Sequence, residues 1–271
     1  MEFKKLFYLI ALLLFVGNSY AGTISSQHFN SWTDDQSYTW TSGYAWPSIV
    51  SEGTTPDSPT SVRFTFNSGM EGGNAPADIR HEKLGGQTEL WWEYWFKFSA
   101  GFEYHPVGVK HIYIKLAPSG SQEDSFVAYD TPYGGLIYLT QTFNGTYNKT
   151  WYPNVNSSHT VTDKWYRVKV HNIINTPGTH DGVLQVWLDD GTGYKLTHDY
   201  NNVWYRSGGN NNTFWRFMIV PVWGGDSGVI KKQTDFLFFD YVNITGESLG
   251  IDPSYPIVLK VPVPPSNIQI K

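Results

Sequence analysis

The 271-residue chain has no cysteine. That excludes a disulfide framework and a lipid-modified cysteine, so stability has to come from a packed core. Charge is also scarce: charged residues make up 16%, with 19 Lys and Arg against 24 Asp and Glu, for a net −5. This modest acidic balance excludes a nucleic-acid or anionic-membrane binder driven by bulk charge, while leaving room for a local basic groove. Helical periodicity is missing beyond a turn or two. The one long apolar run, residues 6–16, falls short of the roughly 20 residues that span a bilayer. The eight histidines have no metal-ligand spacing, no nucleophile elbow occurs, and no motif calls for a cofactor. Asp189-Asp190-Gly191 reads as a turn rather than a calcium loop.

The apolar run follows Lys4 and Lys5 and leads to Ser19-Tyr20-Ala21, the layout of a secretory leader cleaved after Ala21. The expectation is therefore an exported protein, secreted or periplasmic. Residues 22–246 are expected to form one β domain and 247–271 a proline-rich tail or linker carrying Pro253, Pro256, Pro262, Pro264 and Pro265. Five N-x-S/T sequons, at Asn144, Asn148, Asn156, Asn211 and Asn243, are compatible with glycosylation in a eukaryotic route.

Aromatic residues are abundant, at 17%, and they fall in runs of period two. Strands are predicted at 61–66, 89–98, 109–116, 125–129, 136–143, 165–174, 183–189, 194–200, 213–220 and 235–244. Asp190-Gly191 marks a hairpin between two of them. Ten or so strands without helices predict an all-β sandwich of two antiparallel sheets, of the jelly-roll kind.

The stretch from Thr88 to Leu116 carries the functional signal. In 89–98, Trp92, Tyr94, Phe96 and Phe98 share one face and are expected in the core; Trp91, Glu93, Trp95 and Lys97 share the other. Indole rings mixed with charges make a poor core and a good platform for sugar rings. In 109–116, His111, Tyr113 and Lys115 oppose Ile112, Ile114 and Leu116; in 165–174, Arg167, Lys169 and His171 oppose Tyr166, Val168 and Val170. If these strands share a sheet, a basic, aromatic-lined surface results, suited to an acidic polysaccharide. The alternative is the solvated polar face of a sandwich. Glycoside hydrolysis needs two opposed carboxylates; Glu89 and Glu93 do not form the clustered pattern such enzymes carry. β-Elimination needs a cation on the uronate carboxylate and a Tyr or His to move the C5 proton, and those residue types are present.

The segments Glu89 to Phe102, Gly108 to His111, Asn175 to Gly191, Pro221 to Gly225 and Phe238 to Gly246 together resemble the secreted concanavalin-A-like jelly-roll proteins related to polysaccharide lyases, with alginate and glucuronan lyases as the enzymatic relatives. The resemblance implies that Lys110 matches a lysine of the lyases' G-G-K segment, that Tyr138 matches the first of two alternating tyrosines, and that Ser125 matches a substrate-contacting serine. Val109, Val127 and Thr140 stand where that pattern has Gly, Arg and Tyr, and Arg80, Arg167 or His111 would compensate. The expected lyase site is Lys110 and Arg167 on the carboxylate with Tyr138 or His111 as base and acid. Arg80, Trp91, Trp95, Tyr113, Lys115, Ser125, Lys169, His171 and Trp223 would bind neighbouring sugars. No metal, nucleic acid or membrane span is expected, and a monomer is. A non-catalytic glycan-binding or adhesion module is the rival reading, and a purely structural sandwich the third. Lys110 shares the alternation phase of Ile112 and Ile114, so it reaches a groove only if a bulge or the strand end turns it.

Overall fold

Alternating side chains become fourteen strands in a computed structural model that describes residues 23–29, 45–52, 55, 58–81, 84–116, 125–132, 135–141, 148–206, 211–225 and 228–246. They are β1 (Thr23–Gln27), β2 (Ser48–Val50), β3 (Ser61–Phe66), β4 (Ile79–His81), β5 (Glu89–Phe98), β6 (Val109–Leu116), β7 (Ser125–Thr131), β8 (Gly135–Gln141), β9 (Asn148–Trp151), β10 (Tyr166–Ile173), β11 (Gly182–Asp189), β12 (Tyr194–Val203), β13 (Phe214–Trp223) and β14 (Asp235–Thr245). Among the described residues there is no helix, hence none long and apolar enough to cross a membrane. The expected leader and the proline-rich tail lie outside the described residues.

The strands form an eight-stranded sheet ordered β12-β11-β10-β5-β14-β3-β2, with β1 also pairing β14, and a six-stranded sheet ordered β4-β13-β6-β7-β8-β9. Every pairing is antiparallel. This is the two-sheet sandwich expected from the alternation. The strands β1, β2, β4 and β9 were not predicted, because three to five residues are too few to display a period of two.

The core lies between the sheets. Trp92, Tyr94, Phe96 and Phe98 of β5 are buried with Val62, Phe64 and Phe66 of β3, Ile112, Ile114 and Leu116 of β6, and Leu237 and Phe239 of β14. Trp92 bridges the layers, its ring edge-on to Phe126 of β7 and Phe217 of β13 at 6.4 and 5.6 Å. Each such side chain contributes about 1.5–3 kcal/mol on burial. Three of the polar side chains carried inside, those of Trp92, Asn172 and Tyr205, are paired in a relay. Trp92 Nε1 donates to Asn172 Oδ1 at 2.6 Å, Asn172 Nδ2 to Tyr205 Oη at 2.7 Å, and Tyr205 Oη to the Val183 carbonyl at 2.7 Å. The edge strand β12 is covered by Asn154, whose backbone N–H donates to Thr197 and whose side-chain amide exchanges two hydrogen bonds with the backbone of Asp199, which blocks edge-to-edge pairing there.

Between β13 and β14, Lys231 is buried. It donates to Asp235 Oδ2 at 2.5 Å and to the Glu103 carbonyl at 2.9 Å, and lies over the rings of Phe102 and Trp223 at 4.5 and 5.1 Å. Asp235 also accepts from the Glu103 backbone N–H and from Gln233. Removing one partner of a buried pair leaves an uncompensated charge. Asp235→Ala is therefore expected to lower unfolding free energy by about 3–5 kcal/mol, measured by denaturant titration; a loss under 1 kcal/mol would mean that the pair is hydrated.

Candidate functional site

One extra residue in β6 decides which side chains reach the surface. Against β7, Lys110 pairs with Tyr129 and Ile112 with Ala128, so His111 is the inserted residue of a β-bulge. Against β13, the register shifts again between Ile219 and Val222, beside Pro221, which has no N–H to give the ladder. The bulge turns Lys110 away from the apolar phase and onto the outer face, and it turns His111 inward. His111 is fully buried against Phe96, Phe98 and Phe239, and burial pushes its pKa down to about 3. It is a neutral core residue, not a surface base.

Three register rows define the outer face of the six-stranded sheet. One runs Arg216, Lys115, Ser125, Gln141, Asn148. The next runs Arg80, Met218, Tyr113, Val127, Leu139, Thr150. The third runs Val222, Lys110, Tyr129, Ile137. Four cations, Arg80, Lys110, Lys115 and Arg216, thus share this face, and no carboxylate occupies any of these positions. Arg80 is ion-paired to the buried Asp78, and Lys115 lies 5.9 Å from the Tyr113 ring. Lys110 is half-buried and has no carboxylate partner among the described residues, and burial lowers its pKa below the ordinary lysine range.

Tyr129, which the sequence reading did not single out, stands directly across from Lys110. Its ring lies over Gly108, where an added Cβ would sit 2.7 Å from a ring carbon, and Gly108 has a φ of +102°. A left-handed glycine therefore makes the room this ring needs. Directly paired residues on antiparallel strands have Cβ atoms about 4.5–5.5 Å apart. The alternation of 125–129 carried the signal, since Tyr129 shares its phase with Ser125 and Val127.

The other expected site residues lie elsewhere. Tyr138 faces inward, stacked on Phe126 and edge-on to His198, with no exposure. Trp223 is also buried, donating to the Glu103 carbonyl at 2.8 Å and packed edge-on to His105. Neither reaches a groove. Trp91, Trp95, Arg167, Lys169 and His171 face outward from the eight-stranded sheet, on the opposite side of the sandwich from Lys110. Trp91 is only 7% exposed, sandwiched between His171, at 4.0 Å and 10° between planes, and Trp187 at 5.7 Å. Arg167 is ion-paired to Glu93 without a linear hydrogen bond from its Nε and is ringed by Trp95, Tyr194 and Tyr241 at 5.5–5.7 Å. The four expected catalytic groups Lys110, His111, Tyr138 and Arg167 therefore occupy two outer faces and the core, and cannot converge on one sugar. The physical reason is that strand alternation assigns a residue to a face of its own sheet; it does not say which of two sheets the strand joins. Glu89 and Glu93, the pair weighed for hydrolysis, are held by His171 and by Arg167 with Tyr194. Among the described residues, no three His, Cys, Asp or Glu side chains gather as a metal site would need.

Similar arrangements of strands occur in solved structures. A marine PL-14 alginate lyase from Aplysia kurodai superposes with a TM-score of 0.61 at 13% identity, covering 83% of this chain and 100% of that one. An alginate lyase from Chlorella virus gives 0.61 at 14%, with 83% and 100% covered. A mutant of the alginate lyase Aly36B, in complex with alginate trisaccharide, gives 0.56 at 15%, with 83% and 99% covered. The fold is a lyase-related jelly roll. No protein-family model and no curated protein sequence matches the chain. At these identities the likeness extends to the fold and not to the residues that act.

Proposed function

We propose that this protein acts on a uronate-containing polysaccharide held along the outer face of its six-stranded sheet, and that it cleaves the chain by β-elimination beside Lys110. The observation that carries this reading is the face itself, on which, among the described residues, four cations occupy strand positions and no carboxylate does. A polyanion gains charge-assisted hydrogen bonds there, while the chain as a whole, at −5, offers no general attraction. The lyase-related fold and the alginate trisaccharide bound by one structural neighbour support the same reading.

In this mechanism the Lys110 ammonium neutralises the uronate carboxylate and so acidifies the C5 proton. The Tyr129 phenolate, one strand away, takes that proton. The C5–H electron pair forms the C4–C5 double bond, the C4–O4 bond breaks, and the phenol returns the proton to the leaving O4. Arg216, Lys115 and Tyr113, in the neighbouring rows, bind the flanking sugars. Tyr129 thus takes the role expected of Tyr138 or His111, because it is the one of the three on the same face as Lys110.

Affinity tests the placement. The Lys110→Ala/Lys115→Ala double variant is expected to bind an alginate hexasaccharide at least tenfold more weakly by calorimetry, since charge-assisted bonds are worth about 1.5–3 kcal/mol each. Trp187→Ala, on the opposite sheet, is expected to stay within twofold of wild type. Loss in the second variant and not in the first would move the site to the other face.

A further inference from the structure

The outer face of the eight-stranded sheet differs in kind from the cationic one. Its register rows run Trp95, Arg167, Asp189, Tyr194; Glu93, Lys169, Trp187, Leu196; and Trp91, His171, Gln185, Asp199. Charges here cancel in place. Lys97, Arg167 and Lys169 stand against Glu89, Glu93, Asp189 and Asp199, and they are tied up locally: Arg167 with Glu93, Lys97 with Asp163 at 3.0 Å, and Glu89 with His171 at 2.7 Å. The remaining ammonium, on Lys169, lies 4.2 Å from the Tyr194 ring. Among the described residues, a polyanion finds no unopposed cation on this face.

What the face offers instead is rings and hydrogen-bonding groups. Trp95, Trp187, Tyr194 and Tyr241 are each partly exposed, and each is held from behind. Trp187 stacks on Trp91, which stacks on His171. Tyr194 donates to Glu93. Trp95, Tyr194 and Tyr241 pack around the Arg167 guanidinium. Tyr241 is turned onto it at a β14 bulge, where its φ is +42°. Beside them a relay of polar side chains reaches solvent: His171 Nδ1 and Gln185 Oε1 lie 3.0 Å apart, and Gln185 Nε2 donates to the exposed Asp199 at 3.0 Å. Trp95 and Tyr194 stand on strands three spacings apart, and their rings reach toward each other over the intervening β10 and β11, both packing on Arg167 at 5.5 and 5.7 Å.

We infer that this face is a second carbohydrate-binding surface, one that takes a neutral polysaccharide chain, with Trp187, Tyr194 and Trp95 stacking on sugar rings and Glu89, Gln185 and Asp199 receiving hydroxyls. Pre-fixed aromatic rings lose little conformational freedom on binding, and paired charges exclude a polyanion while still accepting hydroxyl hydrogen bonds. The surface is separate from the uronate site: it lies on the other sheet, uses none of its residues and does not depend on the elimination reaction. A protein with both faces would hold an acidic and a neutral glycan at once, each tethering the other.

Titration of the full chain with cellohexaose, mannohexaose and laminarihexaose, followed by tryptophan fluorescence and calorimetry, tests the inference. At least one is expected to bind saturably. Trp187→Ala should weaken that binding about tenfold, as loss of one stacking ring does, Trp187→Phe should restore most of it, and Lys110→Ala should leave it unchanged. Circular dichroism and thermal melting of each variant separate a lost contact from a lost fold. Absence of saturable binding to all three oligosaccharides, or binding indifferent to Trp187→Ala in a folded variant, overturns the inference. Binding that falls with Lys110→Ala instead overturns it too, because the neutral chain would then share the cationic face.

Discussion

Replacing Asp130 by asparagine is expected to stabilise the protein at pH 8 by on the order of 4 kcal/mol relative to wild type and to change little at pH 4. Asp130 is on the inward side of β7, fully buried. One carboxyl oxygen accepts from Thr160 at 2.7 Å, and the other has no hydrogen-bond partner among the described residues. The groups packed near it are phenols rather than cations: Tyr94, Tyr104, Tyr138 and Tyr166 all experience its charge. Burial therefore pushes its pKa up from 3.8 to about 7. Because the folded value is raised, the folded state binds more protons than the unfolded chain between these two values. Wild-type stability from this group is thus fully present below about pH 4 and is lost progressively as pH rises to about 7. Asparagine cannot ionise, keeps a partner for Thr160 and removes that loss. His111 and His198, whose pKa values burial pushes down to about 3, destabilise the fold as pH falls below about 6.5. They are common to both proteins and cancel in the difference. Denaturant titrations at pH 4, 6 and 8 give that difference; one that does not grow with pH would show that the carboxylate is hydrated in the folded state.

The second large effect is on catalysis. Lys110→Ala is expected to lower kcat for uronate elimination by about 10²–10³-fold, the usual consequence of losing one group that stabilises transition-state charge. Tyr129→Phe should lower it by about 10²–10⁴-fold, as for loss of a general acid-base group. Binding should weaken far less in each single variant than turnover does, since in the proposed mechanism both groups act mainly on charge developing at C5 and O4. The lowered pKa of Lys110 adds a pH signature. Its charged form is lost at a lower pH than an ordinary lysine's, so the alkaline limb of the wild-type profile should fall below the usual lysine range and disappear in Lys110→Ala. Equal turnover by wild type and Tyr129→Phe would remove Tyr129 from the mechanism.

How far these residues could be read from sequence depends on what alternation encodes. In β5 it separated Trp92, Tyr94, Phe96 and Phe98 from Trp91, Glu93 and Trp95, and the structure divides them the same way. It also showed that Lys110, in phase with Ile112 and Ile114, could reach the outer face only through a bulge or a turn at the strand end, and the structure has the bulge. The reciprocal consequence, that the inserted His111 enters the core, depends on pairing with β7 and β13 that no local pattern contains. Tyr138 drew attention through a resemblance, yet its phase with Leu136 and Thr140 placed it inward. Tyr129 was readable by the same rule, two residues beyond Val127. The exposure expected of Trp91 failed for another reason: Trp187 and His171 close over it from β11 and β10, strands distant in the chain. Sheet membership separated Arg167 from Lys110, and it is set by long-range pairing rather than by spacing within a strand.

The central claim is that the cationic face performs elimination on an acidic glycan, and the appearance of unsaturated product tests it most directly. Wild-type protein would be incubated with alginate, glucuronan and other uronate polysaccharides while ultraviolet absorbance of the C4–C5 double bond is followed. The account predicts steady formation of that product from at least one of them, with none from the Lys110→Ala/Tyr129→Phe double variant. Uronate binding by the wild type with no unsaturated product from any substrate would contradict it, and would make the face a site of adhesion rather than catalysis.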